Sequence, residues 1–145
     1  MKQRLAGPEI TEFLNEVFPG AMERFAIEDV QPMSARVRMR YSEYSLRPGG
    51  TISGPSLMTL ADTAIWVALL GMIGREPLSV TSHLDIDFLR KAASTDVVGY
   101  ATLYKVGKRL AVGDVLMYSD GENQPCARSS VTYAIPAHRL DPPVD

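Results

Sequence analysis

The chain has 145 residues, 46% of them hydrophobic and 22% charged, enough to bury the core of one domain and too apolar for a disordered chain. Its 15 Lys plus Arg stand against 17 Asp plus Glu, a formal net charge of −2, which excludes a global positive field that would draw it onto nucleic acid or anionic lipid. The only cysteine, Cys126, excludes an intrachain disulfide and leaves too few thiols for a structural zinc site, so a reducing, cytoplasmic setting and no metal are expected.

Taken from the start, Lys2 and Arg4 are followed quickly by Glu9, Glu12 and Glu16 with no uninterrupted apolar run, which predicts no signal peptide. Residues 8–18 read as an amphipathic helix, with Ile10, Phe13, Leu14 and Val17 at helical spacing and Pro19-Gly20 as its stop. From 25 to 41 the pattern turns to alternation and predicts a half-exposed strand. Arg36, Arg38 and Arg40 share its outer face, where acidic neighbours across the sheet would pair with them. Residues 45–55 hold Pro48, Gly49, Gly50, Gly54 and Pro55, a density of breakers that predicts a loop.

A long helix follows, from about 54 to 73, with Pro55 expected at its first position, where a missing N–H costs nothing. It is apolar almost throughout but carries Asp62 near its middle, which argues for the buried centre of a soluble fold and against a membrane span. Four strands are then predicted at 79–89, 96–106, 109–118 and 125–135, with Gly107-Lys108 and Asp120-Gly121 as turn signals. Short connections make successive strands antiparallel, and the proline-rich tail, 136–145, is expected to be loose. One strand, one apolar helix and an antiparallel meander imply a single α+β domain over 1–145, its sheet wrapped around the helix. A five-stranded sheet on one side leaves such a helix uncovered on the other, so the N-terminal helix or a second protomer must complete the burial.

The chemistry concentrates in Ile52-Ser53-Gly54-Pro55-Ser56-Leu57-Met58-Thr59-Leu60-Ala61-Asp62-Thr63-Ala64. Unpaired backbone N–H groups and the positive end of the helix dipole at Gly54 favour a negative oxygen. Asp62 is a carboxylate among apolar neighbours, and burial costs it free energy unless it is paired. Either it bonds a nearby hydroxyl, such as Thr59 or Thr63, or a strand N–H as a structural group, or it serves a site. The remaining candidates are ordinary: His83 and His138 read as a locally satisfied strand residue and a solvated one, and Cys126 as packing.

This stretch resembles the signature of the hot-dog thioesterase superfamily, in its PaaI-type branch, where a His-Gly-Gly turn precedes a helix carrying Leu-Ala-Asp-Thr-Ala. Residues 80–92, 106–112 and 127–133 resemble the family's later strands and hairpin, so the likeness runs from about Arg36 to Pro136. The resemblance implies a hot-dog fold with a five- to six-stranded antiparallel sheet, and hydrolysis of an acyl-CoA thioester. It places Asp62 on the catalytic acid, as general base or nucleophile, Gly54 on the glycine whose N–H polarises the thioester carbonyl, and Thr81 on a strand hydroxyl that helps place water. Ser53 stands where the family has His, and Pro55 where it has the second glycine, which removes one N–H donor.

Met58, Trp66 and Met72 are expected in the core or the acyl-pocket wall, with Met58 and Trp66 counted beside Ser53 and Pro55 as substrate contacts, and Arg90, Lys91, Lys108 and Arg109 as contacts to CoA phosphates. CoA enters as part of the substrate, with no separate cofactor. Along one helix Gly54 and Asp62 stand eight residues, about 12 Å, apart, too far to act on one carbonyl. The resemblance supplies the remedy, a homodimer or dimer of dimers with antiparallel helices, in which Gly54 of one protomer faces Asp62 of the other. A non-catalytic acyl-CoA binding or sensing domain is the competing reading, favoured by the altered turn. A hydratase would need an acid–His pair for proton transfer, for which His83 is the one internal candidate.

Overall fold

The computed structural model of the protein describes residues 1–142. Helix α1 (Gly7–Val17) and a single turn α2 (Ala21–Arg24) lead into strands β1 (Phe25–Gln31) and β2 (Ser34–Met39). A small ribbon of β3 (Leu46–Arg47) and β4 (Thr51–Ile52) precedes α3 (Gly54–Ile73), after which come β5 (Val80–Phe88), β6 (Val97–Val106), β7 (Leu110–Ser119) and β8 (Ala127–Ala134). The six long strands form one antiparallel sheet in the order β1-β2-β6-β7-β8-β5. The sheet packs around α3, which is the hot-dog arrangement that the resemblance implies.

Three local expectations change. The alternating stretch 25–41 is two strands, because Pro32 lacks a ladder donor and Met33 adopts a left-handed φ of 64°, folding the chain into a hairpin. β5 does not lie beside β6; it crosses to the far edge, next to β8, so only β6, β7 and β8 form a meander. The tail, described as far as Pro142, is held rather than loose. Leu140 N–H donates to the buried Glu76 carboxylate (3.1 Å), Asp141 accepts from Arg75 N–H (2.7 Å), and Arg4 donates to the Asp141 and Pro142 carbonyls. Residues 143–145 of that expected tail lie outside the described residues.

Two of the three outer arginines pair with acidic neighbours as expected, and Arg40 bonds backbone carbonyls instead. Arg36 and Arg38 pair with Glu28 at 3.4 and 2.9 Å, and Arg38 also meets Asp96 and Asp120, while Arg40 donates to carbonyls of Met22, Glu23 and Phe25. On the inner face Ala35, Val37 and Met39 join the core.

Helix α3 is covered unevenly. From Val67 to Ile73 every residue is buried, under the sheet on one side and α1 on the other, with Gly71 carbonyl accepting from the Arg4 and Leu5 N–H groups. In the first half, Pro55, Met58, Thr59, Asp62, Thr63 and Trp66 form a stripe that the described residues leave partly uncovered. Its neighbour is β5, an edge strand paired only with β8, on which Val80 is 59% and Phe88 53% exposed. A stripe that carries Pro55, Met58 and Trp66 beside an unpaired strand edge with exposed Val80 and Phe88 is a surface that folded chains normally cover.

Candidate active site

The N-terminus of α3 is capped by Ser53, whose φ of −70° and ψ of 152° are extended. Its Oγ accepts from Ser56 N–H (3.3 Å), and its carbonyl accepts from Leu57 N–H (3.2 Å). Pro55 therefore occupies the second helical position, not the first, and has no N–H to offer. Gly54 N–H forms no hydrogen bond among the described residues, which makes it the single unengaged donor of the first turn. The site has one backbone donor because Ser53 and Pro55 use up or delete the others. Gly54 also lies under the ring of Phe88: a Cβ there would stand 3.1 Å from the ring's Cζ.

Asp62 lies two turns on, at the middle of the uncovered stripe. Its Oδ1 accepts from the Thr81 hydroxyl and from Tyr133 Oη (2.8 Å). Strand register explains why both reach it. Thr81 and Tyr133 are directly opposite on β5 and β8, so they share one face of the sheet. Leu84 and Ile86 also face the core, and counting back by two would turn Ser82 inward instead. The register shift between Thr81 and His83 inserts one extra residue, and this bulge resets the alternation so that Thr81 faces α3.

Asp62 Oδ2 forms no hydrogen bond among the described residues. Burial, and then the Asp62 charge, push the Tyr133 phenol well above its ordinary value, so it stays a neutral donor to the carboxylate. Thr59 and Thr63, nearer in sequence, bond back to the Pro55 and Thr59 carbonyls and leave Asp62 alone. Tyr133 is the functional candidate that sequence reading passes over. Its signal is modest: a tyrosine at an inward position of the last strand, only 3% exposed, needs a partner for its hydroxyl.

Asp62, Thr81 and Tyr133 line a groove of about 910 Å³ between α3, the start of β5 and the α1–α2 connection. Trp66, Leu14, Val17, Phe18, Met22 and Phe25 make most of it apolar, with Arg24 also in its wall. Gly54 opens instead into a separate hollow of about 360 Å³, shared with Phe88, Arg90, Lys91 and Arg47. Within one chain the donor and the carboxylate do not meet. Met58, 41% exposed on the stripe, lines neither space.

The four expected phosphate contacts do not cluster in one chain. Arg90 and Lys91 follow β5 at the end of the sheet where Phe88, Ala127 and Met117 align, and Arg90 is tethered to the Pro125 carbonyl and Gln124. Lys108 and Arg109 turn at the opposite end, where Val80, Ala134 and Leu110 align, about 23 Å away at strand spacing. Arg109 Nε donates to the Ile135 carbonyl (2.9 Å). Arg47, in the hollow with Gly54, is a basic neighbour that its loop position gives no reason to single out. Cys126 is buried, which pushes its thiol up and away from reactivity. Helix α3 is long and apolar enough to cross a membrane, but it is largely buried inside the fold.

Comparison with known proteins agrees with this fold. A family profile described as Thioesterase superfamily matches residues 49–126. The crystal structure of a candidate thioesterase from Silicibacter sp. is 40% identical, with a TM-score of 0.87 over 94% of this chain and 95% of that one. A curated relative described as a candidate esterase, from Thermoplasma acidophilum, is 26% identical over 111 residues, 77% of this chain and 83% of that protein. A single-substitution mutant of the phenylacetic acid degradation protein PaaI from Thermus thermophilus, 21% identical, shares the fold with a TM-score of 0.68 over 86% of this chain and 99% of that one.

Proposed function

The chain belongs to the thioesterase superfamily, whose general reaction is thioester hydrolysis, and we propose that its substrate is an acyl-CoA cleaved at a site shared between two protomers. The observation that carries this reading is the state of Asp62: one carboxylate oxygen is held by Thr81 and Tyr133, while the other is unengaged on a groove wide and apolar enough for an acyl chain. The acyl group occupies that groove against Trp66. A water placed with the help of Thr81 attacks the carbonyl carbon as Asp62 Oδ2 takes its proton. The carbonyl oxygen gains the charge and is met by Gly54 N–H of the other protomer, at a preorganised helix N-terminus. Collapse breaks the C–S bond, expelling CoA thiolate, which recovers the proton, and leaving the free acid. In the nucleophilic version Oδ2 itself attacks, and water then opens the anhydride.

A homodimer is supported by the uncovered stripe on α3, by the unpaired edge of β5, and by the placement of Gly54 and Asp62 in different hollows of one chain. Two such edges can pair about a twofold axis and bury both stripes. Arg47, Arg90 and Lys91, around Gly54, are suited to the phosphates of CoA. A cytoplasmic setting remains part of the proposal.

The test is subunit complementation. Asp62→Asn and Gly54→Pro proteins, each inactive alone, are co-refolded. Mixed dimers then contain one site with Asp62 from the second chain and Gly54 from the first, so thiol release from an acyl-CoA panel should return to about a quarter of wild type. No recovery from verified mixed dimers would show that the site does not cross protomers. A wild-type protein that binds acyl-CoA and releases no thiol from any panel member would establish the binding domain in place of the enzyme.

A further inference from the structure

Strand β5 ends the sheet, and its free side carries a pattern that a partner strand can read. The Asp85 carbonyl accepts from Ser129 Oγ and Leu89 N–H donates to the Cys126 carbonyl, so the odd-numbered residues past the bulge turn their backbone groups to β8. Those of Leu84, Ile86 and Phe88 are left facing the open edge. His83 and Asp85 stand on the outer face, with side chains 64% and 55% exposed, while Leu84 and Ile86 pack against the core. Phe88 shares their inner face, where its ring lies against Gly54 with about half of its surface uncovered.

A second copy of β5 is the occupant that would also complete the site. In a twofold antiparallel pair one residue lies on the axis opposite its own copy, and residues equally far to either side face each other. With Leu84 on the axis, His83 of each protomer faces Asp85 of the other, an imidazole that can donate to a carboxylate, and this happens twice. With His83 or Asp85 on the axis that residue meets its own copy, like against like, and with Ile86 there Asp85 faces Asp87. Each such step slides the strands by two residues, about 7 Å.

Charge selects the Leu84 register, and the site chemistry asks for the same one. Four residues past the axis, Phe88 of one protomer faces residue 80 of the other, to within the one position that the bulge adds. It thus arrives at the Ser79, Val80 and Thr81 stretch that lines the Asp62 groove, and it brings Gly54 with it. Resting on the shared-site reading above, we infer that two β5 edges pair about Leu84 and that Phe88 crosses to the groove of the other protomer. There its ring walls the acyl chain next to the thioester, as a specificity-determining residue, and Asp62 and Gly54 keep their roles.

Disulfide trapping reads the register without turnover. His83→Cys and Asp85→Cys proteins are oxidised separately and as a co-refolded mixture, with wild type as control because its one cysteine, Cys126, is buried. With Leu84 on the axis, residues 83 and 85 of different protomers lie about 4.5 to 5.5 Å apart, within disulfide reach, and the two copies of either one about 8 Å apart, beyond it. Only the mixture should yield a covalent dimer. Cross-linking of either variant alone, or none in the mixture, overturns the inference and leaves hydrolysis standing. Covering the open half of a phenyl ring is worth about tenfold in affinity, so Phe88→Ala should raise by about that factor both KM for an acyl-CoA and Kd for its non-cleavable thioether analogue. Co-refolded with Asp62→Asn, it forms mixed dimers whose one working Asp62 takes Phe88 and Gly54 from the other chain, so about half of the active sites should regain the wild-type KM. A KM that Phe88→Ala leaves unchanged, or that stays raised at every site of the mixture, overturns the crossing of Phe88. A covalent dimer from the mixed cysteine variants and a weakened analogue for Phe88→Ala, with no thiol release from any acyl-CoA, uphold the inference and remove the hydrolase.

Discussion

Asp62→Asn separates catalysis from architecture, because the structure allows both consequences to be sized. In the native chain Oδ1 accepts from Thr81 and from Tyr133 (2.8 Å), and Oδ2 is unengaged. The new amide can turn its oxygen toward the two hydroxyls, so both donors keep an acceptor. What is lost is the charge assistance of two bonds, about 1 kcal/mol each. Relief of a partly buried charge offsets some of this. The expected change in Tm is therefore a few degrees, at about 2 to 4 °C per kcal/mol for a chain of this size. The amide cannot accept a proton from water or form an anhydride, so thiol release should fall by about 10² to 10⁴, equivalent to about 3 to 5.5 kcal/mol of barrier. Asp62→Ala should behave differently, since it takes away the acceptor of the Thr81 hydroxyl and leaves Tyr133 Oη only the residue-62 carbonyl at 3.2 Å, and at about 1 kcal/mol per lost bond it should cost more stability than the amide does. Melting temperature, oligomer mass and thiol release measured on one preparation give the comparison. A folded Asp62→Asn oligomer that turns over like wild type would refute the catalytic role.

Gly54→Pro removes the unengaged N–H while suiting the helix start, since Ser53 already has the extended ψ of 152° that precedes proline. With the half-exposed Phe88 ring free to swing aside, turnover should drop about 10²- to 10³-fold with oligomer mass retained, and a change under threefold would remove Gly54 as the oxyanion donor. Alkaline unfolding should depend on Tyr133. Its phenol is raised in the folded state, so the stability it contributes is fully present below the unfolded value of 10.0 and is lost as pH rises beyond it, by at most about 1.4 kcal/mol per pH unit. Denaturant titrations between pH 9 and 11 should show a shallower decline for Tyr133→Phe, and identical slopes would contradict the buried neutral phenol. Replacing Arg47 and Lys91 together by Ala should weaken CoA binding and flatten its salt dependence, because exposed phosphate contacts are screened over about 8 to 10 Å at ordinary ionic strength. Unchanged affinity at low and high salt would place the phosphates elsewhere.

Local chemistry set much of this architecture. Helix α3 begins at Ser53-Gly54-Pro55 and stops at Gly74, whose φ is 89°, and the hairpin at Asp120-Gly121 turns where a glycine φ of 80° is required. Such features depend on a few adjacent residues, so α3 and the later strands agree with their sequence boundaries to within about two residues. Asp62 and Gly54 stood out for the same reason: a carboxylate on an apolar helix, and a helix start rich in Gly and Pro. Pro32 carried the signal for the first hairpin, but the alternation on both sides of it reads as one strand. What contacts Asp62 could not be read locally. Thr81 and Tyr133 are 52 residues apart and meet only through the β5–β8 register, and the bulge at Ser82 decides which face Thr81 presents. The position of β5 at the sheet edge, the division of Gly54 and Asp62 between two hollows, and the removal of Lys108 and Arg109 to the far end of the sheet follow from strand order. Strand order is settled by long-range packing, in which each strand's partner is chosen by the whole core and by no segment alone.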